Sequence, residues 1–292
     1  MLGPTIGYID LLDQATSEKL RNEALLPKKS SPLRPSSAGA CTRSLAYGLM
    51  EYHQKDNYHC EPFGPSVHRL LALGSAIEVH LIQELESCGF KALNKQHLLR
   101  FGKIESAFDL SMSQEIQGSI DFLLIHNENQ CVADVKSVGG NKYIWNAKSK
   151  AYLAMKSVQV LSPQSFWIED LQAFIEEAKD PFLTSNLAQL NYYAHSEFIQ
   201  SLGMDHAVIL QYSKSDSQLR EFRFKPSHDL FIQTSKKFQV ALDAAAQGSP
   251  ELARRDHEKD SVACRYCRYE HVCKTVSEDA SSELKKGAEN GI

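Results

Sequence analysis

The residues best suited to chemistry lie in one run, GSIDFLLIHNENQCVADVKS, from Gly118 to Ser137. Two apolar stretches flank a polar turn, and each carries a carboxylate, Asp121 in the first and Asp134 in the second. If both stretches are strands, their two-residue period puts Asp134 and Lys136 on one face and Ala133 and Val135 on the other. A hairpin turning through Asn127-Glu128, or through His126 to Asn129, places Asp121 opposite Asp134 in either case. Like charges facing across a ladder cost up to about 1 kcal/mol. A divalent cation between them reverses that sign, and two carboxylates with an open side suit a hard ion such as Mg²⁺ or Mn²⁺. The competing reading is a solvated edge on which Asp134 and Lys136 form a surface ion pair. The apolar flanks, Phe122 to Ile125 and Val132 to Val135, favour the metal.

A second constellation lies near the C-terminus. ACRYCRYEHVCK spaces three thiols as Cys264-x2-Cys267-x5-Cys273. Two thiolates separated by two residues can grip one metal, and a four-coordinate site needs one more ligand, for which Cys41 is the candidate. A structural Zn²⁺ with Cys41, Cys60 or His271 as fourth ligand has the same spacing. Cys88 and Cys131 sit in apolar contexts and read as core residues.

Several elements must position these groups. The stretch Pro27 to Ser37 reads as a basic loop whose serines precede a helix, GACTRSLAYGLMEY, so that the loop delivers Cys41. Apolar residues at helical spacing predict a helix from Ser66 to Ser87, stopped by Gly89. Strand character marks 97–104, 116–125, 130–137, 207–214 and 219–225. Helices are expected near 141–160, 165–179, 184–202 and 227–247. That order predicts an α/β protein with a central mixed sheet flanked by helices.

Composition bounds the alternatives. A chain of 292 residues, 42% hydrophobic, holds one sizeable core, or a core and a small appendage. No run has the roughly 18–20 apolar residues of a membrane span, and the start lacks the order of a secretory signal, so a soluble, cytoplasmic protein is expected. Seven cysteines are too few and too uneven for a disulfide scaffold. A net charge of -4 excludes nucleic-acid binding through bulk positive charge and confines any DNA to a groove. The tail 277–292 reads as disordered, and there is no phosphate loop of the helicase type.

The motifs together resemble the PD-(D/E)xK nuclease superfamily, in its RecB-like branch. Gly-x-x-Asp (GSID) followed by Asp-x-Lys (DVK) looks like motifs II and III. GSAIEVHLIQEL resembles the motif I helix, with His80 in the place of a metal-binding histidine, and NLAQLNYYAHSEF carries Gln189 and Tyr193 as a Gln-x-x-x-Tyr motif. One N-terminal and three C-terminal cysteines resemble the iron-sulfur staple of the CRISPR-associated exonuclease family and its phage-encoded relatives. The resemblance implies a restriction-endonuclease-like core. It implies Mg²⁺ or Mn²⁺ on His80, Asp121, Asp134 and the Val135 carbonyl, Lys136 as the catalytic lysine, and Gln189 and Tyr193 positioning substrate. It also implies a 4Fe–4S cluster on Cys41, Cys264, Cys267 and Cys273, Zn²⁺ being the alternative.

The expected organisation is an N-terminal segment and basic loop over 1–36, one nuclease domain over 37–276, and the tail. An insertion over about 139–180, with lysines and aromatics in KYIWNAKSKAYLAMK, could cover the site or bind a strand. Arg43, Arg254, Arg255, Arg265 and Arg268 flank the staple and could track phosphates. The expected activity is a metal-dependent DNA exonuclease on single-stranded ends, 5′ favoured, with a homo-oligomer or a DNA-processing partner left open. The rival is a non-catalytic DNA-binding subunit of a processing complex.

Overall fold

A computed structural model describes residues 8–24, 31–53, 64–126, 129–139, 142–178, 180–257, 261–265 and 267–275. The tail expected to be disordered and the alternative ligand Cys60 lie outside them. In chain order the elements are α1 (Tyr8–Ala24), α2 (Thr42–Tyr52), α3 (Pro65–Ser87), β1 (Lys91–Leu93), β2 (Leu98–Glu105), β3 (Ser113–Ser119), β4 (Phe122–His126) and β5 (Asn129–Val138). There follow α4 (Lys142–Leu153), β6 (Val158–Ser162), β7 (Ser165–Ile168), α5 (Leu171–Ala178), α6 (Pro181–Ala194) and α7 (Glu197–Ser201). β8 (Ala207–Ser213), β9 (Leu219–Phe224), α8 (His228–Ala246), α9 (Val262–Arg265) and α10 (Glu270–Thr275) complete the chain.

The central sheet runs β1-β4-β5-β8-β9-β7-β6. It is mixed: β5 pairs parallel to β8 and β7 parallel to β9, while the other neighbours are antiparallel. This is the helix-flanked mixed sheet expected from the sequence. Alternation along β5 decides which helix covers which face. Ala133 and Val135 pack with Phe122 against Leu81 and Ile82 of α3. Val132 packs on the other side, with Leu183, Leu187, Leu190 and Tyr193 of α6. Burying each of these large side chains contributes about 1.5–3 kcal/mol, so the two helices are fixed firmly over the middle of the sheet.

Several elements differ from the sequence expectation. The stretch 116–125 is two strands, because the backbone changes partner at Ile120-Asp121. β3 pairs with β2 in a separate two-stranded sheet, the Ile120 amide donates to the His97 carbonyl at 3.1 Å, and from Phe122 the chain pairs with β5. The helix expected over 141–160 stops at Leu153. Beyond it the chain forms a β6–β7 hairpin in which Phe166 and Ile168 are buried between half-buried Ser165 and Trp167. The region expected as an insertion therefore supplies an edge of the central sheet, and only α5 remains of the helix expected over 165–179. The helix expected over 184–202 starts at Pro181, where Asp180 caps it, and breaks at Ser196, which caps α7. α1 and the short strand β1 were not expected; α1 is tied to α3 by a 2.7 Å ion pair, Asp13 to Arg69. Cys88 is exposed at the end of α3, not in the core, while Cys131 is buried.

Candidate active site

The β4–β5 hairpin pairs His126 with Asn129 and Phe122 with Ala133. One step beyond that last pair, Asp121 stands opposite Asp134. Asp121 Oδ2 accepts the Val135 amide at 3.1 Å, which holds its carboxylate against β5. Asp134 is 1% exposed. Its Oδ1 accepts Lys136 Nζ at 2.7 Å, while its Oδ2 is buried with no hydrogen-bond partner among the described residues. An orphaned carboxylate oxygen in a buried setting costs about 1–3 kcal/mol or more; a cation between it and Asp121 would satisfy it, as would a proton shared by the two carboxyls.

Charge is concentrated around this pair. Burial pushes the Asp134 carboxyl well above the usual range, and the neighbouring Asp121 adds to this while Lys136 opposes it. Lys136 loses solvation, yet Asp134, Asp121 and Glu78 together raise its ammonium. Glu78 of α3 is raised by burial and by Asp121, with Lys136 and a 3.1 Å hydrogen bond from Gln96 opposing. Three carboxylates around one lysine leave excess negative charge, the electrostatic condition for a divalent ion.

The placement of His80 corrects one expectation. It is exposed, about 200° around α3 from Glu78. Gly74, Glu78, Leu81 and Ile82 share the face of α3 toward the sheet: a Cβ on Gly74 would meet Ser137 Oγ at 3.1 Å, and Leu81 and Ile82 join the core. The structure brings Glu78, not His80, within electrostatic reach of Asp121 and Lys136. An acidic residue on the apolar face of α3 was the signal available in the sequence.

α6 brings Gln189 and Tyr193 to the same side. The two sit at i,i+4, and Tyr193, 4% exposed, shares a side-chain hydrogen bond with Gln189. Its phenol is raised by burial and by the charges of Asp134 and Asp121, with Gln189 and Arg34 opposing. Gly118 permits this approach, because a Cβ there would lie 2.9 Å from Pro35 Cδ and 3.0 Å from the Tyr193 hydroxyl. Arg34, which belongs to no motif of the sequence, lines a hollow of about 250 Å³ with Tyr193 and Gly118.

Cys41, Cys264, Cys267 and Cys273 line one small cavity of about 40 Å³. The Asp256 amide is 3.5 Å from Cys41 Sγ, and an Arg255 guanidinium nitrogen is 3.5 Å from Cys273 Sγ. Tyr47 of α2 stacks on Tyr269, with centroids 5.7 Å apart, and the Tyr269 hydroxyl donates to Glu51 at 2.6 Å. These contacts, not foreseen from the cysteine spacing, dock the C-terminal triplet on α2. Among the described residues no group of three or more His, Cys, Asp or Glu is gathered closely enough to hold a metal ion, so the expected iron-sulfur staple is not shown. His271 is exposed.

Two of the flanking arginines are structural. Arg43 is buried, with its guanidinium donating to the Ala253 and Glu251 carbonyls at 3.0 Å each, and Arg255 donates to the Cys273 carbonyl at 3.1 Å. Arg254 and Arg265 are exposed. No helix among the described residues is long and apolar enough to cross a membrane.

No family model matches the sequence, and no curated protein does. Solved structures match the chain trace broadly. SSO0001 has a TM-score of 0.43 and 12% identity, over 91% of this chain and 96% of its own. The alkaline exonuclease LHK-Exo from Laribacter hongkongensis, alone and in complex with dAMP, has a TM-score of 0.39 and 11% identity, over 80% of this chain and 94% of its own. At such scores the likeness carries no functional inference, and what this chain does must be read from its own site.

Proposed function

We propose that this chain is a divalent-metal-dependent deoxyribonuclease that hydrolyses phosphodiester bonds in single-stranded DNA. The observation that carries the reading is Asp134 Oδ2, a buried carboxylate oxygen without a hydrogen-bond partner among the described residues, next to Asp121 and on the carboxylate whose other oxygen Lys136 binds. Asp121, Asp134 and the Val135 carbonyl would hold Mg²⁺ or Mn²⁺, with the charge of Glu78 supporting the site from α3. Such an ion supplies a nucleophilic water near neutral pH and neutralises charge on the phosphate. Lys136, its ammonium raised by three carboxylates, stays protonated; it orients the attacking water and offsets negative charge developing on the phosphate. Gln189 and Tyr193, hydrogen-bonded to each other, position the strand through a phosphate oxygen. Action from strand ends, 5′ favoured, is the part supported only by the motif resemblance.

The four cysteines would hold a 4Fe–4S cluster, with structural Zn²⁺ as the alternative. In support, all four line one cavity, and nitrogen donors approach two of the sulfurs. The cluster's role would be to clasp the C-terminal segment to α2, away from the cleavage chemistry. The activity is tested with end-labelled single and double strands in Mg²⁺ or Mn²⁺. Metal-dependent shortening of the strand by the native protein supports the proposal. Firm DNA binding without turnover under any divalent ion would favour the non-catalytic subunit instead.

A further inference from the structure

A hollow of mixed polar and apolar lining, separate from the carboxylate site, measures about 420 Å³ and lies between α8, the start of α6 and the segment after Leu252. Lys237, Arg254 and His257 line it, facing Thr184 and Ser185 of α6. Among the described residues Asp256 is the one acidic residue in its wall. That carboxylate is already engaged: its Oδ2 accepts the Thr42 amide at 2.8 Å and the Thr42 hydroxyl at 2.7 Å, and stands 3.5 Å from Lys237 Nζ. Lys237 is held by the Ala38 carbonyl at 3.1 Å, so its ammonium is fixed at the wall rather than free to swing into solvent. Burial lowers its pKa, with Asp256 and Cys41 opposing. Arg254, exposed, adds a second full positive charge.

We infer that this hollow binds a phosphate group of a nucleic-acid strand, as a second anchoring site apart from the one where cleavage is proposed. An ammonium, a guanidinium, an imidazole and the Ser185 hydroxyl around one cavity offer donors suited to a phosphate's several acceptor oxygens, the Thr184 hydroxyl being already engaged with the Asp180 carbonyl at 3.0 Å. A chain of net charge -4 needs such local sites if it is to hold a polyanion at all. Ser185 and Tyr193 are separated along α6 by about 12 Å of helical rise. This second site rests on the nucleic-acid reading of the first.

The test is the salt dependence of binding of a fluorescent single-stranded oligonucleotide to the full chain in EDTA, for the native protein, Arg254→Gln and Arg254→Gln/Lys237→Gln. Each lost phosphate contact should reduce the slope of log K against log salt by about 0.7. The expected result is a drop near that value for Arg254→Gln, with a larger drop for the double variant. Because Lys237 also braces Ala38, the exposed Arg254 variant decides the matter if the double variant does not fold. An unchanged slope and affinity in folded Arg254→Gln overturns the inference. Hydrolysis in Mn²⁺ measured on the same samples separates the two readings: cleavage by the native protein with an unchanged slope sinks this site alone.

Discussion

Replacing Gly118 with alanine tests whether a close approach sets the position of Tyr193. The added Cβ would stand 2.9 Å from Pro35 Cδ, 3.0 Å from the Tyr193 hydroxyl and 3.1 Å from Tyr193 Cε1. Carbon contacts settle at about 3.5–4.0 Å, so each neighbour must yield by roughly half an ångström or more. Overpacking of this kind costs about 1–3 kcal/mol. For a chain of this size that corresponds to a fall in Tm of about 2–9 °C, at roughly 2–3 °C per kcal/mol. Tyr193 would be pushed from its position near Asp121 and Asp134, and a misplacement approaching 1 Å costs up to about 100-fold in rate. Differential scanning fluorimetry and kcat/KM on a labelled single strand measure both effects. Adding Pro35→Ala should return part of the stability, with a coupling of about 0.5–1.5 kcal/mol between the two changes. A Gly118→Ala protein with native Tm and native kcat/KM would show that Tyr193 does not depend on this gap.

Glu78→Gln should raise the Mn²⁺ concentration needed for half-maximal hydrolysis by about 10- to 100-fold, the usual effect of losing a group that supports a metal site, whereas His80→Ala should leave it near native. The reverse pattern in a Mn²⁺ titration would restore His80 as the ligand. Asp180→Ala removes the cap of α6, whose Phe182 and Leu183 amides donate to the Asp180 carboxylate at 3.2 and 3.3 Å; a loss of about 1–2 kcal/mol is expected in urea unfolding. Burial opposes ionisation of Asp180, but Lys148, Leu183 and Tyr152 prevail and hold its pKa below the ordinary value. Its stabilising effect is therefore complete above pH about 4 and lost as pH falls through the folded value, so the native protein should lose its advantage over Asp180→Ala only in strong acid. Anaerobically purified protein should show visible absorbance and bound iron and sulfide, both diminished by Cys267→Ala; zinc alone would replace the cluster with a structural ion.

The pattern of legibility follows the range of the interactions. The Asp121–Asp134 facing pair was readable because hairpin register is local: either turn length leads to the same partners. The Gln189 and Tyr193 pairing was readable because i,i+4 spacing is intrinsic to a helix. The partner change at Ile120-Asp121 was not, since it depends on β2, more than fifteen residues upstream, competing with β5 for the same backbone. The stretch after Leu153 misled through apolar residues compatible with either period, and pairing across the hairpin made it a strand. At α3 the motif resemblance pointed to His80, while the helical face itself selected Glu78. For the cysteines, spacing indicated one cavity, but the docking through Tyr47, Tyr269 and Glu51 is a tertiary contact with no local signature.

The central claim is that Asp134 and Lys136 serve a metal-dependent cleavage of DNA. The most direct measurement is Mn²⁺-dependent release of nucleotides from a 5′- or 3′-labelled single strand, by the native protein and by folded Asp134→Ala and Lys136→Ala. The expected result is cleavage by the native protein, abolished by EDTA and reduced by at least about 100-fold in both variants, as for the loss of a major electrostatic contact in the transition state. Equal cleavage by either variant, or none by the native protein with any divalent ion, would contradict it.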